Sequence, residues 1–150
     1  MHSHNQYIKL PDNTSLYTIS NTVTDAKANI IFLHGYTEHV GRYGWMTEQM
    51  NLAGINVFAY DHRGYGKSEG ARAYINRFSQ YNEDLEVYLN QIKMPELPTF
   101  LMGHSMGSLI GVDYLVHHSE HQFAGFISSA GALKIDESIS PFLRKISGIM

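Results

Sequence analysis

Four short, largely apolar runs limit what this chain can fold into: ANIIFLH (28–34), INVFAY (55–60), TFLM (99–102) and FAGFIS (123–128). Each is too short for a core helix. None shows the strict alternation of a strand with one wet face, so all four suit strands buried on both sides. Helical segments separate them. Residues 43–53 stop at Gly54, a natural C-terminal glycine. Ser79 is placed to cap a helix reaching about Lys93, with Tyr81, Leu85, Tyr88, Leu89 and Ile92 near helical spacing, and Pro95 and Pro98 close that region. A third helix spans about 106–118. Strands alternating with helices predict an α/β fold, a mostly parallel sheet with right-handed crossovers and helices on both faces. Upstream, Gln6–Leu10 and Ser15–Ser20 flank Pro-Asp-Asn-Thr and read as an antiparallel hairpin, with His2 and His4 in a mobile tail. The length fits one domain over residues 1–150.

Ligands of such sheets gather at the carboxyl ends of the strands. One of those ends reads GHSMGS (103–108). Ser105 stands between a strand and a helix with no room for an ordinary loop, so the turn must be sharp and strained. Gly103 and Gly107 fit that turn, because a side chain at either would collide as strand and helix converge. This is the G-x-S-x-G nucleophile elbow, which lifts a serine hydroxyl above the sheet. The N–H of Met106 lies unpaired at the helix start, in its positive field, and can donate to an oxygen that becomes negative. The loop after the first buried strand reads His34-Gly35-Tyr36. Its sharp turn at Gly35 makes the N–H of Tyr36 the candidate second donor.

HGYTEHVGRY (34–43), DHRGYGKSEG (61–70) and GHSMGS (103–108), in this order and spacing, resemble the α/β-hydrolase group of monoacylglycerol lipases and lysophospholipases, the serine aminopeptidase-like hydrolases. The resemblance runs from about residue 7 to residue 150. It implies an α/β-hydrolase fold of which this chain is the N-terminal portion, with the lid beginning at about 138–150 and the later strands and the rest of the lid not included. By that likeness Ser105 is the nucleophile and the backbones of Tyr36 and Met106 form the oxyanion hole. His34, Gly35, Gly103, His104 and Gly107 support the elbow and loop. Glu38 and His39 line or brace the oxyanion loop, and Asp61, Arg63 and Ser68 hold the neighbouring loop by hydrogen bonds. Tyr36 departs from the smaller residue expected at its position. The implied activity is hydrolysis of a monoacylglycerol or lysophospholipid ester through an acyl-enzyme, with no cofactor and a small lipid or ester as partner. A peptidase or thioesterase of the same fold, and a non-catalytic binding module of hydrolase ancestry, are the alternatives.

A serine needs a base in reach and a third group to orient that base. In this fold both follow the serine in sequence. The histidines downstream of Ser105 are His117, His118 and His121. Twelve helical residues at about 1.5 Å each put His117 roughly 18 Å from Ser105. Asp113 shares that helix, and Asp136 has no histidine after it. The expectation is therefore that the base and acid come from beyond this chain, that the chain alone is inactive and partly folded, and that a complementing fragment or oligomer would be needed. His117 to His121 also match H-x-x-E-H, a zinc-protease pattern, but with no evident third ligand, so no metal site is expected. No cysteine is present, which excludes disulfides and thiolate metal sites. The net charge of -3 gives no basic field for nucleic acid. The N-terminus has no secretory signal and no run long enough to cross a membrane. A cytoplasmic protein is expected, with room for transient contact at a lipid surface.

Overall fold

The apolar run at 28–33 forms the middle of the sheet. The computed structural model describes residues 2–118 and 122–131. Its elements are β1 (His2–Lys9), β2 (Ser15–Thr22), β3 (Ala28–Leu33), a 3-10 turn (Val40–Tyr43), α1 (Gly44–Leu52), β4 (Ile55–Tyr60), α2 (Ser79–Gln91), β5 (Thr99–His104), α3 (Met106–His117) and β6 (Gly125–Ser129). The sheet order is β1-β2-β4-β3-β5-β6. β1 pairs β2 and β2 pairs β4 antiparallel, while β3–β4, β3–β5 and β5–β6 are parallel. Phe32 of β3 lies beside Ala59 of β4 on one side and Met102 of β5 on the other. The chain leaves β3 toward β4 and then returns past it to β5. That reversal opens a crevice at the carboxyl ends of these three strands.

Both sheet faces are covered. Ile30, Phe32 and Ala59 pack with Val40, Met46 and Met50 on the α1 side. Ile31, Leu33, Phe58, Leu85, Tyr88 and Ile110 pack together on the side of α2 and α3. This two-sided burial is why the central strands lack alternation. The amino ends of the strands are pinned by a buried amide pair. Asn56 donates to Asn29 Oδ1 at 3.0 Å, and Asn29 donates to Pro95 O at 2.9 Å and Thr99 Oγ1 at 3.1 Å.

Three expectations are corrected. His2 and His4 belong to β1, facing Thr22 and Ser20 across an antiparallel ladder, so the N-terminus is strand and not tail. Ser79 is the first residue of α2 and makes no cap; Phe78 holds that position, and Ser79 Oγ accepts from Arg77 Nε at 3.1 Å instead. The last strand begins at Gly125 rather than Phe123, because Phe123 turns in to pack against the core. The segments 138–150 and Asp136 lie outside the described residues.

The loop after β4 is fastened to two other elements by one guanidinium. Arg63 donates from Nε and Nη2 to the two oxygens of Asp84 on α2, at 2.6 and 2.5 Å. Its Nη1 donates to Asp12, in the β1–β2 turn, at 2.9 Å. The Asp84 hydrogen bonds hold the guanidinium well above its ordinary pKa against the opposing effect of burial. Asp84 is 2 % exposed, so losing Arg63 would strand a buried carboxylate. Arg63→Ala should lower the unfolding free energy by about 3 kcal/mol or more. Urea denaturation reads this directly; a loss under about 1 kcal/mol would reduce the clamp to an ordinary surface pair.

Candidate active site

Ser105 takes φ 51 and ψ -114 between the end of β5 and the first residue of α3. A non-glycine residue there costs about 1–3 kcal/mol and persists only where its surroundings enforce it. Here they do. A Cβ at Gly103 would lie 2.4 Å from the backbone of Gly107 and Ser108, and a Cβ at Gly107 would lie 2.1 Å from Leu33 O. The start of α3 is thus pressed onto the last residues of β3. The Ser105 N–H donates to Ser129 O of β6 at 2.9 Å, and Ser108 Oγ donates to Gly103 O at 2.6 Å. His104 Nδ1 stands 3.1 Å from Ser129 Oγ. Among the described residues no side chain hydrogen-bonds Ser105 Oγ, and the N–H groups of Met106 and Tyr36 have no acceptor.

The loop carrying Tyr36 is held by carboxylates and imidazoles. Glu38 Oε2 accepts from the Gly35 N–H at 3.0 Å and from the Tyr43 hydroxyl, and Glu38 pairs with Arg42 at 3.2 Å. Partial burial pushes the Glu38 carboxyl up. The Tyr43 hydroxyl, the Gly35 N–H, His104 and Arg42 outweigh it and hold the carboxyl below its ordinary value. Thr37 takes φ 59, a strained conformation for a β-branched residue. Asp61 is buried at the end of β4, where its carboxylate accepts from the Val40 N–H at 2.7 Å and the Lys67 N–H at 2.8 Å. Ser68 Oγ donates to Asp61 O at 2.5 Å and accepts from the Tyr17 N–H at 2.9 Å.

His34 and His62, both fully buried, join the two loops. The His62 N–H donates to His34 Nε2 at 2.9 Å, so that nitrogen carries no proton. The proton sits on Nδ1, which donates to Gly35 O at 2.8 Å. His62 Nε2 in turn donates to His34 O at 3.1 Å. Burial drives both imidazoles below their ordinary pKa, His62 the further.

The structure therefore brings His34, Gly35, Tyr36, Glu38, Gly103, His104, Ser105, Met106 and Gly107 to one edge, with Asp61 behind them. Two further residues from the sequence reading lie on the surrounding loops. Arg63 is committed to Asp84 and Asp12. His39 lines a groove of about 460 Å³ with Tyr17, Val40, Thr47 and Lys67. Three contributors were not singled out from the sequence: His62, Tyr43 and Ser129. The first two lie inside the quoted motifs, and their spacing to His34 and Glu38 was the available signal. Ser129 acts through its carbonyl, for which residue identity carries no signal. Asp113 accepts from Asn82 at 2.6 Å, and His117 stands 2.8 Å from Asp113 O. Of the H-x-x-E-H stretch, Ser119 to His121 lie outside the described residues. No helix among the described residues is long and apolar enough to cross a membrane.

The paired imidazoles set a pH dependence. Both are depressed in the fold, so below their ordinary value of 6.5 the unfolded chain binds more protons than the folded one. Stability is full above that value and is lost as pH falls. Between pH 6.5 and about 5.5 the two groups together should lower the urea midpoint progressively. Urea midpoints measured across that window test this; a flat profile would mean that the imidazoles take up protons as readily inside the fold as outside it.

A family model described as serine aminopeptidase, S33, matches residues 24–150. Over 137 residues the chain is 31% identical to a monoacylglycerol lipase of Mycolicibacterium smegmatis, covering 90% of this chain and 49% of that protein. It is 39% identical over 103 residues to the monoglyceride lipase of Rattus norvegicus, covering 67% of this chain and 34% of that one. Among solved structures, a thermostable carboxyl esterase from Bacillus coagulans superposes with a TM-score of 0.73 at 26% identity, over 85% of this chain and 44% of its own. A Paleococcus ferrophilus monoacylglycerol lipase superposes with a TM-score of 0.72 at 27% identity, over 89% and 50%. The chain spans half the length, or less, of these relatives. With the match over residues 24–150, the motifs in order and the shared sheet, the chain belongs to the serine aminopeptidase S33 family of α/β-hydrolases.

Proposed function

We propose that the edge holding Ser105 is the acyl-transfer centre of a carboxylic ester hydrolase acting on monoacylglycerols or lysophospholipids. The carrying observation is the strained turn at Ser105, set beside two backbone N–H groups that have no acceptor among the described residues. In this reading Ser105 Oγ attacks the ester carbonyl and its proton passes to a histidine base. The carbonyl oxygen takes the negative charge and accepts from the N–H groups of Tyr36 and Met106. Collapse of the tetrahedral intermediate expels the alcohol, which takes the proton back from the base. Water then repeats the sequence on the acyl-serine and releases the fatty acid. The relatives named as lipases and esterases favour an ester over the amide in the family's name.

The base comes from outside the described residues. None of their histidines bonds Ser105 Oγ, and the sequence holds no histidine after His121. Without a base, an activated aryl ester still acylates the serine because its phenolate leaves unaided, whereas hydrolysis of the alkyl ester on the serine is slower, so the acyl-serine should accumulate. At about pH 9, where hydroxide can take the serine proton, p-nitrophenyl butyrate should leave one butyryl group on Ser105 of the isolated chain without sustained turnover. Peptide mass spectrometry locates the group, and Ser105→Ala should remain unmodified. No adduct on Ser105, or equal modification of the variant, would overturn the reading. Sustained turnover that vanishes in Ser105→Ala would keep the nucleophile and put the base within this chain.

A further inference from the structure

We infer that the Tyr36 ring is a fixed wall of the acyl site and limits branching next to the reacting carbonyl; this rests on the acyl-transfer reading above. Tyr36 has two roles separable by atom. Its backbone N–H is the proposed oxyanion donor, and its side chain is free to do something else. A donor nitrogen about 3 Å from the oxyanion puts its own Cα within about 5 Å of that oxygen. The carbonyl carbon is only about 1.2 Å from the same oxygen. A tyrosine side chain at this position therefore starts within reach of the group attached to that carbon.

The ring is also held in place. Its centroid lies 6.1 Å from that of Tyr65, edge to face at 71°. Tyr65 is buried and packs edge-on against His34 at 5.6 Å and 69°. His34 is fixed by its hydrogen bonds to Gly35 and His62. The wall thus stands on the same imidazole that shapes the donor loop. The loop itself lies against the elbow, since a Cβ at Gly35 would come 3.3 Å from His104 Cδ2. Tyr36 keeps 56 % of its surface exposed, so the residue stays accessible to a ligand while its ring is braced against Tyr65. A linear acyl chain can pass such a ring; a quaternary carbon beside the carbonyl meets it.

The test compares acylation of Ser105 by p-nitrophenyl butyrate and p-nitrophenyl pivalate, which share a leaving group and differ in branching at the α-carbon. The wild-type chain should favour butyrate. Tyr36→Ala should raise the pivalate-to-butyrate ratio by roughly tenfold or more, Tyr36→Leu by less, and Tyr36→Phe should keep the wild-type ratio, because the ring and not the hydroxyl forms the wall. A merely structural loss in the loop would slow both esters together and leave the ratio alone, so an unchanged ratio across the variants would overturn the inference while leaving Ser105 as nucleophile. A Tyr36→Phe ratio that moves as far as Tyr36→Ala would overturn it too, by assigning the effect to the hydroxyl. Failure of both esters to acylate Ser105 in every form would instead remove the acyl-transfer reading, and the wall with it.

Discussion

The closest approach of backbone to backbone governs this structure. The first turn of α3 lies against the last residues of β3, with Gly107 so near Leu33 that no side chain fits between them. That contact leaves β5 and α3 no room for a loop, and the strain falls on Ser105. It also sets the loop after β3 beside the start of α3, so the N–H groups of Tyr36 and Met106, which have no acceptor among the described residues, lie on the same edge of the sheet. The strain at Ser105 and the meeting of the two loops are therefore one geometric solution rather than separate features.

The loops around that contact are stiffened by buried polar groups bound to backbone. Glu38 captures the Gly35 N–H, Asp61 captures those of Val40 and Lys67, and His34 bonds to both its own loop and the neighbouring one. Each such group costs desolvation and recovers it through hydrogen bonds whose geometry admits little slack. Two irregular loops acquire in this way the definition that a strand gets from its ladder. The cost is a dependence on protonation, since burial disfavours charge on His34 and on the His62 ring packed beside it.

Much of the fold could be read from the residues alone. The central strands declare themselves because burial on both faces removes alternation, and Ser105 declares itself because only glycines fit at Gly103 and Gly107. The errors fall where tertiary contacts override local chemistry. Ser79 has the composition of a cap, yet the helix starts one residue earlier and its hydroxyl goes to Arg77. His2 and His4 look like tail until β2 offers them a ladder. Around the turn, the legible residues are those whose shape the close packing demands. His62, Tyr43 and Ser129 act through partners far away in sequence, and no local pattern announces a partner.

Ser129 gives one of those contacts a mechanical meaning. Its carbonyl takes the Ser105 N–H, it lies within reach of Ser108 Oγ at 3.3 Å, and its hydroxyl meets the His104 ring. His104, Ser105 and Ser108 thus all hang from the end of β6. The turn at Ser105 is therefore indexed to the end of β6, and a shift of that strand end would carry the serine with it.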